Sequence, residues 1–252
     1  MKSIDNLDKL VPKAIAYYWL TRQKQSQKQT TSGRSDQAAR SAVTGGAQMD
    51  GFISLITRLI VEAGADEANI FHNTHLELPG FFRPTKEWDL LLVKDDQLVL
   101  ALQAKAQVGS SPDSNFSDTK HKAIGSALDL WSDYRDGSYN RTFKPWLGYL
   151  FLLEDTPESR RSVRSQDPPF KVLTESAHLS YRERYELFCR RLVRERHYCV
   201  AAYLISNKTG GLKGRYAEPA DDLAFATFAR ALVTQVAAFG VSGKRSLEKR
   251  TH

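Results

Sequence analysis

Apolar and polar positions along the chain predict helices and strands in alternation. Apolar residues recur at helical spacing in four segments, which are residues 4–20, about 48–63, 118–135 and 181–196. A further long helix is predicted after an N-cap at Asp221-Asp222 and through Phe239. Shorter apolar runs predict strands at residues 68–78, 88–105 (a hairpin), 146–153 and 198–206. This order predicts an α/β fold with a central mixed β-sheet flanked by helices.

Polar segments divide the chain. Residues 22–37 (RQKQSQKQTTSGRSDQ) contain almost no apolar side chain, which predicts a linker or surface loop. Residues 157–180 are rich in Pro, Ser and Arg and predict a second loop. We therefore expect an N-terminal helix and polar linker over residues 1–38, one large domain over 39–240, and a basic tail over 241–252.

Composition narrows the class of protein. The 252 residues are 41% hydrophobic, which is enough for one large core, and the net charge of +7 fits a polyanionic partner or a solvated basic surface. The two cysteines are too few for a disulfide framework or a zinc site. The N-terminal MKSIDNLDKLVPK has no export segment, and the most apolar stretch, LGYLFLL, is too short to cross a membrane. We expect a soluble, cytosolic protein.

The predicted hairpin WDLLLVKDDQLVLALQAK (88–105) carries candidate chemistry. Two carboxylates and a lysine at a sheet edge form a metal-dependent phosphodiesterase site, in which the carboxylates hold Mg²⁺ and the lysine orients the attacking water. Asp89 and Lys105 have the spacing for this arrangement, and Gln103 stands at the second acidic position. The spacing alone is also that of an ordinary hairpin with charged surface residues.

Side-chain alternation makes the hairpin hypothesis specific. Val99, Ala101, Gln103 and Lys105 share one face of a regular strand. Asp89 joins that face if it pairs with Gln103, which in regular strands needs a three-residue loop over residues 95–97. A two-residue loop over residues 95–96 would send Asp89 to the opposite face. The nuclease hypothesis therefore predicts the three-residue loop.

Longer strings around the hairpin add a family resemblance. They are ARSAVTGG (39–46), LPGFFRPTKEWDLL (78–91), QVG (107–109), GSALDLW (125–131), PWLGYLFLLEDTPESRRSVR (145–164) and YRERYELFCRRLVRER (181–196). From about residue 39 to residue 205 the chain resembles the XhoI family of type II restriction endonucleases. The resemblance implies a PD-(D/E)XK nuclease core, a restriction-modification role, a homodimer, Mg²⁺ dependence and a duplex DNA substrate. That substrate would be CTCGAG, cut after the first C of each strand to leave four-base 5′ overhangs.

The resemblance also implies roles for individual residues. Asp89 matches the metal-bridging aspartate, Lys105 matches the lysine that positions water, and the Ala104 carbonyl matches a further metal ligand. Gln103 stands where the pattern has a glutamate, and an amide oxygen coordinates Mg²⁺ without adding negative charge. Additional acidic candidates are Glu77 and Asp50.

The substitution at Gln103 leaves alternatives open. It is either a deliberate change that traps an uncleaved DNA complex or a natural one that the site tolerates. The protein is then an active or attenuated endonuclease, or a catalytically inert sequence-specific DNA-binding protein that keeps the endonuclease fold. A weaker alternative is another nuclease of this fold, such as a repair or recombination enzyme.

Recognition of CTCGAG needs side chains that reach base edges. Guanine accepts bidentate bonds from Arg or Lys, and adenine suits Asn or Gln. The candidates that could enter a groove are Gln107, Asn115, Lys120, Arg190 and Arg194. Acidic residues on the 181–196 helix could instead pair with its arginines at i, i+4 spacing. The helix that contains Trp19 and the 222–239 helix are candidates for the dimer surface, although packing onto their own domain is the expected arrangement.

Overall fold

The computed structural model describes residues 3–32, 46–109, 112–139, 144–163 and 178–248. In these ranges the α-helices are α1 (Leu7–Ser32), α2 (Asp50–Glu62), α3 (Pro112–Asp136), α4 (Pro157–Arg160), α5 (Tyr181–Arg194), α6 (Lys208–Gly211) and α7 (Phe225–Glu248). The strands are β1 (Ile70–Phe71), β2 (Glu77–Pro79), β3 (Thr85–Glu87), β4 (Leu90–Lys94), β5 (Gln97–Gln107), β6 (Trp146–Glu154) and β7 (Val200–Ser206). None of the helices in these ranges is long and apolar enough to cross a membrane.

A five-stranded mixed sheet forms the centre, in the order β1-β4-β5-β6-β7. The β1, β4 and β5 strands pair antiparallel, and β5, β6 and β7 pair parallel. This arrangement confirms the predicted α/β fold with a mixed sheet. The single strand predicted over 68–78 is wrong, because the chain bends after β1, passes His75 at a φ of 57° and forms the separate β2-β3 hairpin.

Helices cover both faces of the sheet. On one face the buried side chains come from α1, α2 and α7, including Trp19, Phe52 and Phe228. On the other face they come from α3 and α5, including Leu130 and Phe188. Strands buried on both sides explain why β6 and β7 are continuous apolar runs rather than alternating ones.

The N-terminal helix belongs to the core of the domain. Trp19 is 1% exposed, and its Nε1 donates to Ser206 Oγ of β7 at 3.1 Å. The polar loop predicted from residue 22 is wrong over residues 22–32, which continue α1. Lys, Gln and Arg are good helix formers, and the preceding turns are already held by their buried face, so the helix extends without apolar residues of its own. Residues 33–37 of that predicted loop, and most of the 157–180 loop, lie outside the described residues.

The last helix begins later than the sequence predicts. Residues Asp221–Leu223 form a short 3-10 turn, and α7 starts at Phe225, whose N–H donates to Glu218 Oε1 at 2.7 Å. The predicted Asp221-Asp222 cap is therefore wrong, since Glu218 caps the helix and Asp222 binds Arg190. The helix also continues to Glu248, into the segment predicted as a basic tail.

Candidate active site

The β4-β5 hairpin has a two-residue loop, so the predicted three-residue loop is wrong. Lys94 pairs with Gln97, and Asp95 and Asp96 between them have φ values of 53° and 56°. Two left-handed residues form the tight turn whose twist matches a hairpin, and aspartate tolerates this conformation.

A β-bulge restores the pairing that the loop would have lost. Val93 pairs with Leu98 but Leu92 pairs with Leu100, so Val99 is an extra residue in β5. Val99 and Leu100 both enter the core on the α1 side, which corrects the prediction that Val99 shares a face with Gln103. Beyond the bulge Leu90 pairs with Leu102, and Asp89 is consequently level with Gln103. Asp89 is therefore level with Gln103 as predicted, but the bulge at Val99 produces this register instead of a three-residue loop.

Asp89 and Lys105 form the centre of the candidate site. Lys105 Nζ lies 3.0 Å from Asp89 Oδ2 and 3.2 Å from Oδ1, and the Ala104 N–H donates to Oδ2 at 2.9 Å. The side chains of Asp89 and Lys105 are 26% and 43% exposed, so the ion pair is open to a large substrate. The backbone bond orients the carboxylate, and the ammonium group lies across both its oxygens.

The Ala104 carbonyl lies on the same strand edge as the carboxylate. The Leu102 carbonyl accepts from the Asp89 N–H at 3.0 Å, which places that edge of β5 toward β4. In an extended strand the N–H and C=O of one residue point to the same edge of the strand, and every second residue points to that edge. Leu102 and Ala104 therefore both direct these groups toward the β4 side. Because β4 begins only at Leu90, the carbonyl of Ala104 lies beyond the paired region and beside Asp89.

Gln103 is held in a buried polar network. Its side chain is 2% exposed, Oε1 accepts from the Tyr198 hydroxyl at 2.6 Å, and Nε2 donates to Ser126 Oγ at 3.3 Å. Ser126 Oγ in turn donates to the Lys122 carbonyl at 2.7 Å. This network needs one acceptor and one donor at position 103, which an amide supplies. Burial, followed by the nearby charge of Asp89, raises the pKa of Tyr198 well above its ordinary value, so Tyr198 remains a donor.

Tyr198→Phe is expected to lower the free energy of unfolding by about 1–3 kcal/mol, because Gln103 Oε1 would stay buried without its donor. Urea unfolding measures the change. Tyr17→Phe is the matched control, since that ring is 43% exposed and its variant should change stability by less than about 0.5 kcal/mol. Equal changes in the two variants would contradict the role given to Tyr198.

Within the described part of the chain, the other acidic candidates form no hydrogen bond or ion pair with Asp89 or Lys105. Glu77 is exposed and pairs with Glu87 across the β2-β3 hairpin. Asp50 is exposed at the start of α2, where partial burial raises its pKa and nearby His72 opposes the shift. Across the described ranges, no group of three or more His, Cys, Asp or Glu side chains could hold a metal ion.

The oxygens at the Asp89 edge nevertheless fit Mg²⁺. This ion keeps several waters and is commonly bound through one or two carboxylates together with substrate phosphate. Asp89 supplies one carboxylate and Ala104 a carbonyl oxygen beside it. Gln103 Oε1 would have to exchange the Tyr198 hydroxyl for the ion before it could join them.

Lys86 is a cation near the candidate site that the sequence did not predict. It lies on β3, three positions before Asp89, and its Nζ is 5.7 Å from the centroid of the Trp88 ring. Burial lowers its pKa, and the neighbouring charge of Lys105 lowers it further, whereas Asp89 opposes the shift. A second ammonium group therefore lies near the Asp89–Lys105 pair. The only sequence signal was its place on the segment that leads into Asp89.

Among the described residues, the predicted DNA-contacting side chains make no hydrogen bond or ion pair with Asp89. Gln107 is buried and donates to the Val108 carbonyl at 3.3 Å, and Lys120 lies 4.5 Å from the centroid of the Phe116 ring. Arg190 and Arg194 are on α5, which packs against β7, the edge strand two positions from β5. The Asn115 side chain lies outside the described residues.

The two arginines are also paired within the chain. Arg190 Nε and Nη2 donate to the Asp222 carboxylate at 2.8 and 3.1 Å, and Nη1 donates to Glu186 at 2.7 Å. Arg194 Nε is 3.1 Å from Glu195 Oε1. These contacts favour an intramolecular role for Arg190 over base reading.

Comparison with known proteins supplies the family. The profile of restriction endonuclease XhoI matches residues 28–218. The chain is 43% identical over 207 residues to type II restriction enzyme BstVI of Geobacillus stearothermophilus, covering 80% of this chain and 92% of the relative. It is 41% identical over 170 residues to type II restriction enzyme AbrI of Azospirillum brasilense, covering 67% and 76%.

A third relative extends the same relationship. The chain is 37% identical over 188 residues to type II restriction enzyme XhoI of Xanthomonas vasicola, covering 74% of this chain and 75% of the relative. No solved structure matches the chain with significance. With the profile match across most of its length, and an aspartate and a lysine joined on a bulged hairpin, the chain belongs to the XhoI family of type II restriction endonucleases.

Proposed function

We propose that this protein is a Mg²⁺-dependent site-specific deoxyribonuclease that cuts duplex DNA at CTCGAG, after the first C of each strand. The observation that carries the proposal is the Asp89–Lys105 pair at 3.0 Å, held open to solvent beside the Ala104 carbonyl. The similar proteins are type II restriction enzymes, which supports double-strand cleavage as the proposed reaction. The CTCGAG sequence follows from the family resemblance. Acting on cellular DNA, the protein would work in the cytoplasm.

The reaction is hydrolysis of a phosphodiester. Oxygen of a water molecule bonds to phosphorus, the bond from phosphorus to the 3′ oxygen breaks, and a proton passes to that oxygen. Asp89 and the Ala104 carbonyl would hold Mg²⁺, which polarises the phosphate and acidifies a bound water. Lys105 orients the attacking water and offsets the negative charge that develops on the phosphate. Lys86 adds a second positive charge near Asp89, to which the DNA backbone would be attracted.

Gln103 favours a second candidate function. Its amide adds no negative charge, and its oxygen is bonded to Tyr198, so Asp89 is the one carboxylate that the described residues place at the lysine. A single carboxylate is a weaker magnesium site than a pair. The second candidate is therefore a catalytically inert protein that binds CTCGAG and keeps the endonuclease fold.

A homodimer follows from the proposed substrate, because a palindrome has two-fold symmetry and each active site would cut one strand. The two surfaces suggested by the sequence are used within the chain itself. In α1 the Trp19 side chain is 1% exposed, and in α7 Phe228 and Leu232 are both 0% exposed. The apolar faces of both helices therefore pack on their own domain.

A plasmid assay tests the proposal. One plasmid carries a single CTCGAG and its matched control carries the same site with one base pair changed. With Mg²⁺ we expect linear product from the first plasmid only, with four-base 5′ overhangs, and no product with EDTA. Binding to CTCGAG without cleavage would support the inert alternative, and fragments independent of CTCGAG would contradict the proposed specificity.

Arg190→Ala separates structural from DNA-contacting arginines. We expect the affinity for a CTCGAG duplex to change by less than about threefold and the stability by less than about 1 kcal/mol, because the pair with Asp222 is partly exposed. Lys86→Ala is the comparison, and it should weaken binding and reduce the salt dependence by about one phosphate contact. If Arg190→Ala greatly weakened binding of the duplex and Lys86→Ala did not, Arg190 would be identified as a DNA-contacting residue.

A further inference from the structure

The tip of the β2-β3 hairpin exposes two adjacent aromatic side chains. Phe81 is 50% exposed and Phe82 is 65% exposed, and their rings meet edge to face with centroids 4.9 Å apart. Phe81 lies beside Ser132, Arg135 and Asp136 of α3. An exposed pair of large aromatic rings on a tip is typical of an interaction surface.

The tip is held rigidly from below. Asp129 of α3 is 1% exposed, accepts from the Phe82 N–H at 2.7 Å, and lies 2.7 Å from Arg83 Nε. Tyr139 donates to the Pro79 carbonyl at 2.9 Å, at the base of the tip. Gly80 leaves no room for a side chain, since a Cβ there would be 2.6 Å from Asp129 Oδ2. These buried polar contacts therefore fix the backbone of the tip so that its two rings face solvent.

The tip is continuous along the chain with the candidate cleavage centre, and a lysine lies between the two. Arg83, which pairs with the buried Asp129, follows Phe82 directly. Lys86 lies close enough to Arg83, Asp89 and Lys105 for their charges to shift its pKa. Asp89 is seven positions after Phe82, so the two are at most about 25 Å apart. That distance equals about seven base-pair steps of duplex DNA, at 3.4 Å per step. A duplex with a phosphate at Asp89 and Lys105 is therefore long enough to reach the rings, and Lys86 lies on the segment that joins the two places.

We propose that Phe81 and Phe82 form an aromatic wedge that enters a groove of the bound duplex, in or beside the recognition sequence, and unstacks a base step there. The inference rests on the proposed function for the identity of the duplex. Apolar side chains that insert between base steps kink DNA, and a rigid mount keeps the wedge from folding back on the protein. Bending the duplex around the tip would bring the scissile phosphate to Asp89 and Lys105.

The test compares the double variant Phe81→Ala/Phe82→Ala with Leu20→Ala, whose side chain is 46% exposed on α1. The probe is a CTCGAG duplex with 2-aminopurine in place of adenine, bound with Ca²⁺ replacing Mg²⁺. We expect the wild-type protein and Leu20→Ala to raise the fluorescence. The double variant should raise it little and bind about tenfold or more weakly, with unchanged melting temperature and sedimentation. Phe82→Trp should keep both signals.

Two other results would overturn the wedge, and a third would overturn only the proposed specificity. Unchanged fluorescence and affinity in the double variant would show that the rings do not touch DNA. Weaker binding together with loss of the dimer on sedimentation would assign the tip to a second copy of the chain. If the wild-type protein shows no preference for CTCGAG, the proposed specificity fails, while the fluorescence on any bound duplex still judges the wedge.

Discussion

Lys105→Ala is expected to lower the rate of CTCGAG cleavage by at least about 100-fold, which is the usual loss when one preorganised donor to the developing charge is removed. Lys105 Nζ reaches both oxygens of Asp89 and makes no other hydrogen bond or ion pair within the described residues, which supports the proposed role in the chemistry. Affinity for the CTCGAG duplex should change little. Single-turnover cleavage and equilibrium binding with Ca²⁺ measure the two quantities separately.

Lys94→Ala is the matched control for that experiment, because Lys94 is an exposed lysine at the opposite end of the same hairpin. It should cleave at the wild-type rate. The fold should survive Lys105→Ala, since Asp89 remains partly solvated and keeps the Ala104 N–H. If Lys105→Ala lost site-specific binding by several orders of magnitude, the lysine would be a DNA-binding residue rather than a catalytic one.

Gln103→Glu is expected to raise the cleavage rate by at least about tenfold at fixed Mg²⁺, and to lower the Mg²⁺ concentration needed for half the maximal rate. A carboxylate adds negative charge at the metal-binding edge, where the amide adds none. The Tyr198 hydroxyl already donates to position 103. The Ser126 hydroxyl would have to turn its proton from the Lys122 carbonyl toward the new carboxylate.

Gln107→Glu is the control for the added charge, because Gln107 is a second buried amide and lies four residues further along β5. It should not raise the rate. Cleavage only by Gln103→Glu would identify the present chain as the inert form. Equal rates for Gln103 and its glutamate variant would show that an amide suffices here, and no cleavage by either would contradict the assignment of the site.

Local sequence patterns predicted most of the elements. The helices α2, α3 and α5 and the strands β6 and β7 follow from apolar spacing, because each buries one continuous face or both faces against the core. The errors fall where no local apolar signal exists. Residues 21–32 are polar and helical, because the turns before them are anchored in the core. The C-terminal helix is capped by Glu218, which reaches forward across the Asp221–Leu223 turn to the Phe225 N–H.

The sequence by itself determined the α/β order of the chain and the presence of Asp89 and Lys105 at the ends of one hairpin, because strand period and residue identity are local properties. Tertiary structure alone decided that a bulge at Val99 brings Asp89 level with Gln103 after a two-residue loop. It also decided that Gln103 is hydrogen-bonded to Tyr198, 95 positions away, and that Lys86 lies near the Asp89–Lys105 ion pair. Register and partner choice depend on contacts between distant segments, and these form only when the layers pack.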